Sequence, residues 1–234
     1  MLRIIHQGIT TMIKRPLIFT FFIIVTLTGF SQEQDFGAWY GINLKYKITS
    51  RLNFNSNSSL RTLNNASDID IWYLEAGISY KLIKYVSVDG YYRWIFTNEF
   101  DNNFFARHRW YTDVKGGYEI NRIEIIARLR YQLQYKTYIN EENDKIPDQY
   151  FRFKAQIKYN WPKFPVDPFI SFEMYYPLNY NSVNFIDKKR FSVGMEYKIK
   201  KKHSIEAEYI FQRDYLPLLS DMNIISVAYN LSLN

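Results

Sequence analysis

Ile123-Glu-Ile-Ile-Ala-Arg-Leu-Arg-Tyr-Gln-Leu-Gln-Tyr-Lys136 alternates almost without a break. Ile123, Ile125, Ala127, Leu129, Tyr131, Leu133 and Tyr135 share one parity. Glu124, Arg128, Arg130, Gln132, Gln134 and Lys136 share the other, with Ile126 the one apolar residue among them. A β-strand turns successive side chains to opposite faces, so this segment has an oily face and a charged one. Ordinary strands run to about five or six residues. A tilted strand that crosses a bilayer needs about nine to eleven. Length and pattern together predict a membrane-spanning strand.

The pattern recurs on both sides of this segment. Residues 36–48 set Phe36, Ala38, Tyr40, Ile42, Leu44, Tyr46 and Ile48 against Gly37, Trp39, Gly41, Asn43, Lys45 and Lys47. Residues 51–62, 71–82, 85–97 and 104–120 repeat the alternation, with Arg61, Tyr73, Glu75, Asp89, Tyr91, Arg93, Arg107, Arg109, Asp113 and Lys115 on the polar parity. Residues 150–161, 168–176, 190–199, 204–213 and 223–233 continue it, with Arg152, Lys154, Glu173, Arg190, Glu196, Glu206 and Glu208 on that side. Short connections near 49–50, 83–84, 121–122, 163–165 and 200–202 take turns with longer polar ones at 63–70, 98–103, 138–149, 178–189 and 214–222. Membrane barrels show this asymmetry, with short periplasmic turns and longer external loops. The expectation is an all-β, antiparallel transmembrane β-barrel of ten to twelve strands. Eleven segments are counted, and bacterial single-chain barrels usually have an even number. A soluble lipocalin-like barrel or sandwich is the rival, but its strands would be shorter.

Composition agrees with a barrel. Mean hydropathy is slightly negative, at −0.33, as it should be when half of each strand faces a polar interior. Tyr (21), Phe (18) and Trp (5) are abundant, and such rings suit the boundary between lipid and water. There is no cysteine, which excludes thiolate metal sites, cysteine nucleophiles and disulfides.

Lys14-Arg15 precedes an apolar run from Pro16 to Phe30, and Ser31-Gln32 opens a polar stretch. This reads as a secretory signal over residues 1–31, removed near Ser31, with a single barrel domain over 32–234. Translation starts at Met1 or Met12. Losing Arg3, Lys14 and Arg15 lowers the formal charge from +7 to +4. That modest excess is spread over many strands, whereas nucleic-acid binders concentrate charge on one face, so no nucleic-acid partner is expected.

If the oily faces meet outer-membrane lipid, the charged faces line the lumen. Arg61, Arg93, Arg107, Arg109, Asp113, Arg128, Arg130, Arg152, Glu173, Glu196 and Glu206 are the candidate lumen charges. Bases dominate the middle strands and acids the late ones, so a ladder of ion pairs across the lumen is expected. Such a lumen is either a selective pore or anion pocket, or a salt-bridged seal. The small bore favours the seal. With only His108 and His203 left after the signal, no metal site, cofactor or catalytic site is expected. His108 falls on the lipid-side parity between Ala106 and Trp110, neither of which is a nucleophile.

The order of Phe36-Gly-Ala-Trp-Tyr-Gly41, Tyr91-Tyr-Arg93, Arg107-His-Arg109 with Asp113, Arg128-Leu-Arg130-Tyr-Gln132, Arg152-Phe-Lys154 with Tyr159, and Phe172-Glu173 resembles a family of bacterial outer-membrane barrels, domain of unknown function 2490. The resemblance implies a closed barrel in the outer membrane of a Gram-negative bacterium. It implies no substrate, cofactor or activity. The resulting expectation is a non-enzymatic barrel, structural or passing small solutes at low conductance through a charged lumen. A lipid-modifying enzyme and a barrel that binds ligand with its loops are the alternatives. The oligomeric state is open.

Overall fold

The computed structural model describes residues 35–99, 103–138, 145–179, 186–215 and 219–233. The expected signal segment lies outside these residues. Eleven strands follow one another in the chain. They are β1 (Asp35–Lys47), β2 (Leu52–Leu63), β3 (Asp68–Ile83), β4 (Val86–Glu99), β5 (Asn103–Ile120) and β6 (Ile123–Lys136). β7 (Asp148–Tyr159), β8 (Val166–Pro177), β9 (Lys188–Lys200), β10 (His203–Asp214) and β11 (Ser220–Leu233) complete the set. Each strand pairs with its sequence neighbour, and β1 closes on β11 to form a barrel. Closure leaves no unpaired edge for another chain to extend.

The odd count has a geometric consequence. Up-and-down neighbours alternate in direction, so strands one and eleven run the same way. β1 and β11 therefore pair in parallel, from Asp35 opposite Met222 to Tyr46 opposite Leu233. The other ten pairings are antiparallel. The expected antiparallel barrel is thus antiparallel everywhere but at this seam.

Parity sorts the side chains as alternation requires. On β6, Leu129 is 50% exposed while Arg130 beside it is 5% exposed, and Tyr131 is again on the outside. Large apolar side chains stand exposed on every strand but β2, among them Ile42, Ile78, Trp94, Trp110, Ile157, Ile170, Val193, Ile205 and Val227. The buried set is instead rich in polar and charged groups, with Asp89, Asp113, Asp167, Arg93, Arg152 and Glu173 among them. This inversion of a soluble core is what packing around a polar lumen produces.

Local rules set the strand ends. Asn121 adopts φ 57° in the connection between β5 and β6, a left-handed conformation that Asn tolerates better than most residues. Between β2 and β3 the register slips, with Arg61 opposite Ile71 and Thr62 opposite Ile69. The extra residue, Asp70, is carried by this bulge into the lining of the lumen, a re-aiming typical of bulges near barrel rims. Leu63, Asp68, Glu99, Asn103, Lys136, Asp148, Pro177, Lys188, Asp214 and Ser220 end or begin their strands at one end of the barrel, called the loop end here, and the connections at 48–51, 84–85, 121–122, 160–165 and 201–202 lie at the other, the turn end.

Candidate functional site

Side chains facing the lumen from neighbouring strands stand close enough to touch, and most lumen charges use that proximity. Arg130 donates from Nε and Nη2 to the two oxygens of Asp113 in the same register, at 2.6 and 2.8 Å. Its guanidinium lies 3.6 Å from the centroid of Tyr111. Arg152 donates to Glu173 at 2.7 Å and to Gln132 at 3.0 Å, and Arg128 reaches the same Glu173 carboxylate from β6. Arg93 pairs with Glu75, Arg107 with Glu99, and Lys158 with Glu196. Lys115 holds the fully buried Asp89 at 2.5 Å.

The expected ladder therefore takes a different form. Pairs run around the wall, between adjacent or next-but-one strands, and not across the bore. The reason is reach: neighbours on a sheet are about 5 Å apart, while the opposite walls are separated by open space. Glu173 and Glu196 meet bases from β6 and β7, but Glu206 has no ion pair among the described residues. Arg61 and Arg109 also have no acidic partner there. Arg109 donates from Nε to the Gln134 amide oxygen at 2.9 Å.

Sequence parity put Trp39, Arg61 and Arg190 on the lumen side but gave no sign that they meet. Trp39 projects inward from β1, and two guanidiniums share its ring: Arg61 of β2 at 3.9 Å and Arg190 of β9 at 4.9 Å. Arg61 also lies 5.2 Å from Tyr73, and Arg190 5.0 Å from Tyr175. Arg190 donates to Gln212 at 2.7 Å and to the Tyr175 hydroxyl. No carboxylate pairs with either arginine among the described residues, and the Nε of Arg61 is buried without a hydrogen-bond partner. Trp39 on a polar parity was the available signal. An indole placed among arginines is a cation–π platform as readily as a core residue.

These groups line a cavity of about 700 Å³ at the loop end, together with Arg109, Arg128, Lys154 and Glu208. Asp187 sits at its mouth, just before β9, where burial raises its carboxyl above the usual range against the opposing pull of Lys188. A second cavity, about 960 Å³, opens at the turn end between Lys45, Lys81, Lys84 and Lys115. Among the described residues, paired charges fill one side of the lumen and cavities remain toward both ends.

The histidines lie elsewhere. His108 faces outward and its Nδ1 shares a hydrogen bond with the Tyr92 hydroxyl at 2.6 Å. His203 makes the same kind of bond with Tyr229 at 2.5 Å. No serine or carboxylate hydrogen-bonds to either ring among the described residues. No three His, Asp or Glu side chains converge as metal ligands there.

Closed all-β topology, apolar exterior and ionic lumen define a β-barrel with the polarity of membrane-spanning barrels. Residues 36–222 match the family described as "Protein of unknown function (DUF2490)", and the chain belongs to that family. Among solved structures, the NanC porin is 13% identical with a TM-score of 0.54, covering 85% of this chain and 99% of its own. OccK11 (OpdR) of Pseudomonas aeruginosa is 13% identical with a TM-score of 0.37, over 74% of this chain and 53% of its own. The translocator domain of the autotransporter NalP from Neisseria meningitidis is 13% identical with a TM-score of 0.40, over 71% and 70%. The likeness to the NanC porin is one of fold. No curated protein matches the chain.

Proposed function

We propose that this barrel lies in the outer membrane of a Gram-negative bacterium and passes small anionic solutes, which first dwell between Arg61 and Arg190. One observation carries the reading: two guanidiniums share the Trp39 ring, and neither is in ion-pair contact with a carboxylate among the described residues, Glu173 standing opposite Arg190 in register but binding Arg128 and Arg152 instead. A charge withdrawn from water without a counter-ion is costly. An arriving carboxylate or phosphate supplies the missing charge, and guanidinium binds either through parallel hydrogen bonds. Flat rings keep both cations in place while the site is empty, so little ordering accompanies capture.

The membrane placement is supported by the exposed apolar band around the barrel, which is far larger than a soluble monomer carries. Outer-membrane lipid is then the partner of the exterior. With short turns facing the periplasm, the loop end and its arginines open outward. The paired charges elsewhere in the lumen serve structure. The reading assigns a non-enzymatic role, in which His108 and Tyr92 share a hydrogen bond at the outer face.

Planar-bilayer recording in a salt gradient tests this. The wild-type barrel is expected to give a reversal potential of anion-selective sign. The double variant Arg61→Gln/Arg190→Gln is expected to lose anion preference by about threefold or more, because rings of fixed charge set the selectivity of a pore. Cation selectivity in the wild type, or an unchanged double variant, contradicts the reading.

A further inference from the structure

The two large cavities have no wall residue in common. Between them on the β3–β6 side lies a dense layer. Tyr91 stacks on Tyr111 at 4.9 Å between ring centroids. Arg93 and Arg130 cover Tyr73 and Tyr111 at 3.8 and 3.6 Å and bind Glu75 and Asp113. Asp113, fully buried, is enclosed between Arg130 and Lys115. A solute crossing here would have to break several charge-assisted bonds at once.

The opposite wall is of another kind. The lumen-facing residues of β11, β1 and β2 between the two vestibules are short and uncharged: Ala228, Asn230, Gly41, Asn43, Asn57 and Ser59. Asn43 donates to Asn230 at 2.7 Å and accepts from Asn57, so an amide belt crosses the parallel seam. A third cavity, about 320 Å³, lies along this wall. It shares Asn43, Asn57 and Glu75 with the loop-end cavity and Lys45, Asn55 and Tyr91 with the turn-end cavity. Long charged side chains fill one half of the bore, and short amides leave space in the other.

Building on the proposed anion passage, we propose that the solute path is eccentric. It leaves the arginine vestibule, runs along the β11–β1–β2 seam over the Asn230–Asn43–Asn57 belt, and emerges among Lys45, Lys81 and Lys84. Amide donors replace part of the solute's hydration there without holding it as tightly as a fixed cation. Bases at both ends keep the anion's energy low on either side of this neutral neck, and multi-site weak binding of this kind permits throughput.

The chain has no cysteine, so single thiols are unambiguous reporters. Asn57→Cys, Asn230→Cys and Ser232→Cys place a thiol on the seam path. The last of these stands outside the amide belt and serves if belt variants fold poorly. Gln156→Cys places one on the lumen side of β7, off the seam and lining none of the three cavities, between Ile126 of the turn-end cavity and Ser171 of the loop-end cavity. Each folded variant is recorded in planar bilayers before and after an anionic methanethiosulfonate reagent. Modification on the seam is expected to cut anion current about tenfold, and modification at Gln156→Cys to leave it nearly unchanged. Block at Gln156→Cys with no block at any seam position overturns the eccentric path while leaving anion passage intact. No current from the wild-type barrel overturns both.

Discussion

The wall built by β3 to β9 and the wall built by β11, β1 and β2 enclose one lumen but follow different physics. The first is long-chained, charged and mutually paired; Arg130–Asp113, Arg152–Glu173 and Lys115–Asp89 each neutralise a buried ion. The second is short-chained and neutral at its neck, with Arg61 and Lys45 toward its two ends and one large ring, Trp39, which meets Arg61 of the same wall and Arg190 of β9. In a barrel of this size, side-chain length decides where empty space remains. Paired charges make the first wall rigid and full, and their absence makes the second the open side.

The contrast is broken most severely by removing one partner of a buried pair. Arg130→Ala removes both hydrogen bonds to Asp113, which has no exposure to water and keeps only Lys115 at 3.8 Å. It is expected to cost about 3 kcal/mol, the usual result of removing one partner of a buried pair. Gel-shift melting of the folded barrel measures it, with Lys201→Ala in an exposed connection changing stability by less than about 0.5 kcal/mol. Equal effects would mean that the paired wall contributes nothing special.

A smaller effect comes from the same substitution at two glycines. At Gly77 an added Cβ would stand 2.2 Å from the Tyr91 ring and 2.5 Å from the Gly90 carbonyl oxygen. At Gly90 it would meet nothing within 4 Å. Gly77→Ala is expected to destabilise by about 1–3 kcal/mol through overpacking. Gly90→Ala should be neutral or slightly stabilising, since alanine restricts the unfolded chain. Comparable melting temperatures for the two would show that the aromatic layer yields easily.

The smallest change is expected on the neutral wall. Asn43→Ala removes two side-chain hydrogen bonds at the seam. Partial exposure to lumen water limits the loss to about 1 kcal/mol. Conductance should rise, because the neck widens. A loss of stability as large as that of Arg130→Ala would place the seam, and not the charged wall, as the mechanical core.

Much of this was legible before any fold was known. The alternation around Arg128-Leu-Arg130-Tyr-Gln132 fixes which side chains share a face, because a strand has no other way to dispose of them. All eleven segments and nearly every inward charge were readable in that way. The choice of partners was not. Asp113 lies four residues from Gly117 in the chain and seventeen from Arg130, yet it is the antiparallel register of β5 and β6 that joins it to Arg130.

By itself the sequence determined periodicity, strand length and the sign of charge on each face, all local properties of the chain. Only the closed barrel decided that β1 and β11 run parallel, that Arg61 and Arg190 reach one indole from separate strands, and that the free space gathers beside asparagine. Closure brings together residues far apart in the chain. Which of them meet depends on register and curvature, and no local pattern encodes either.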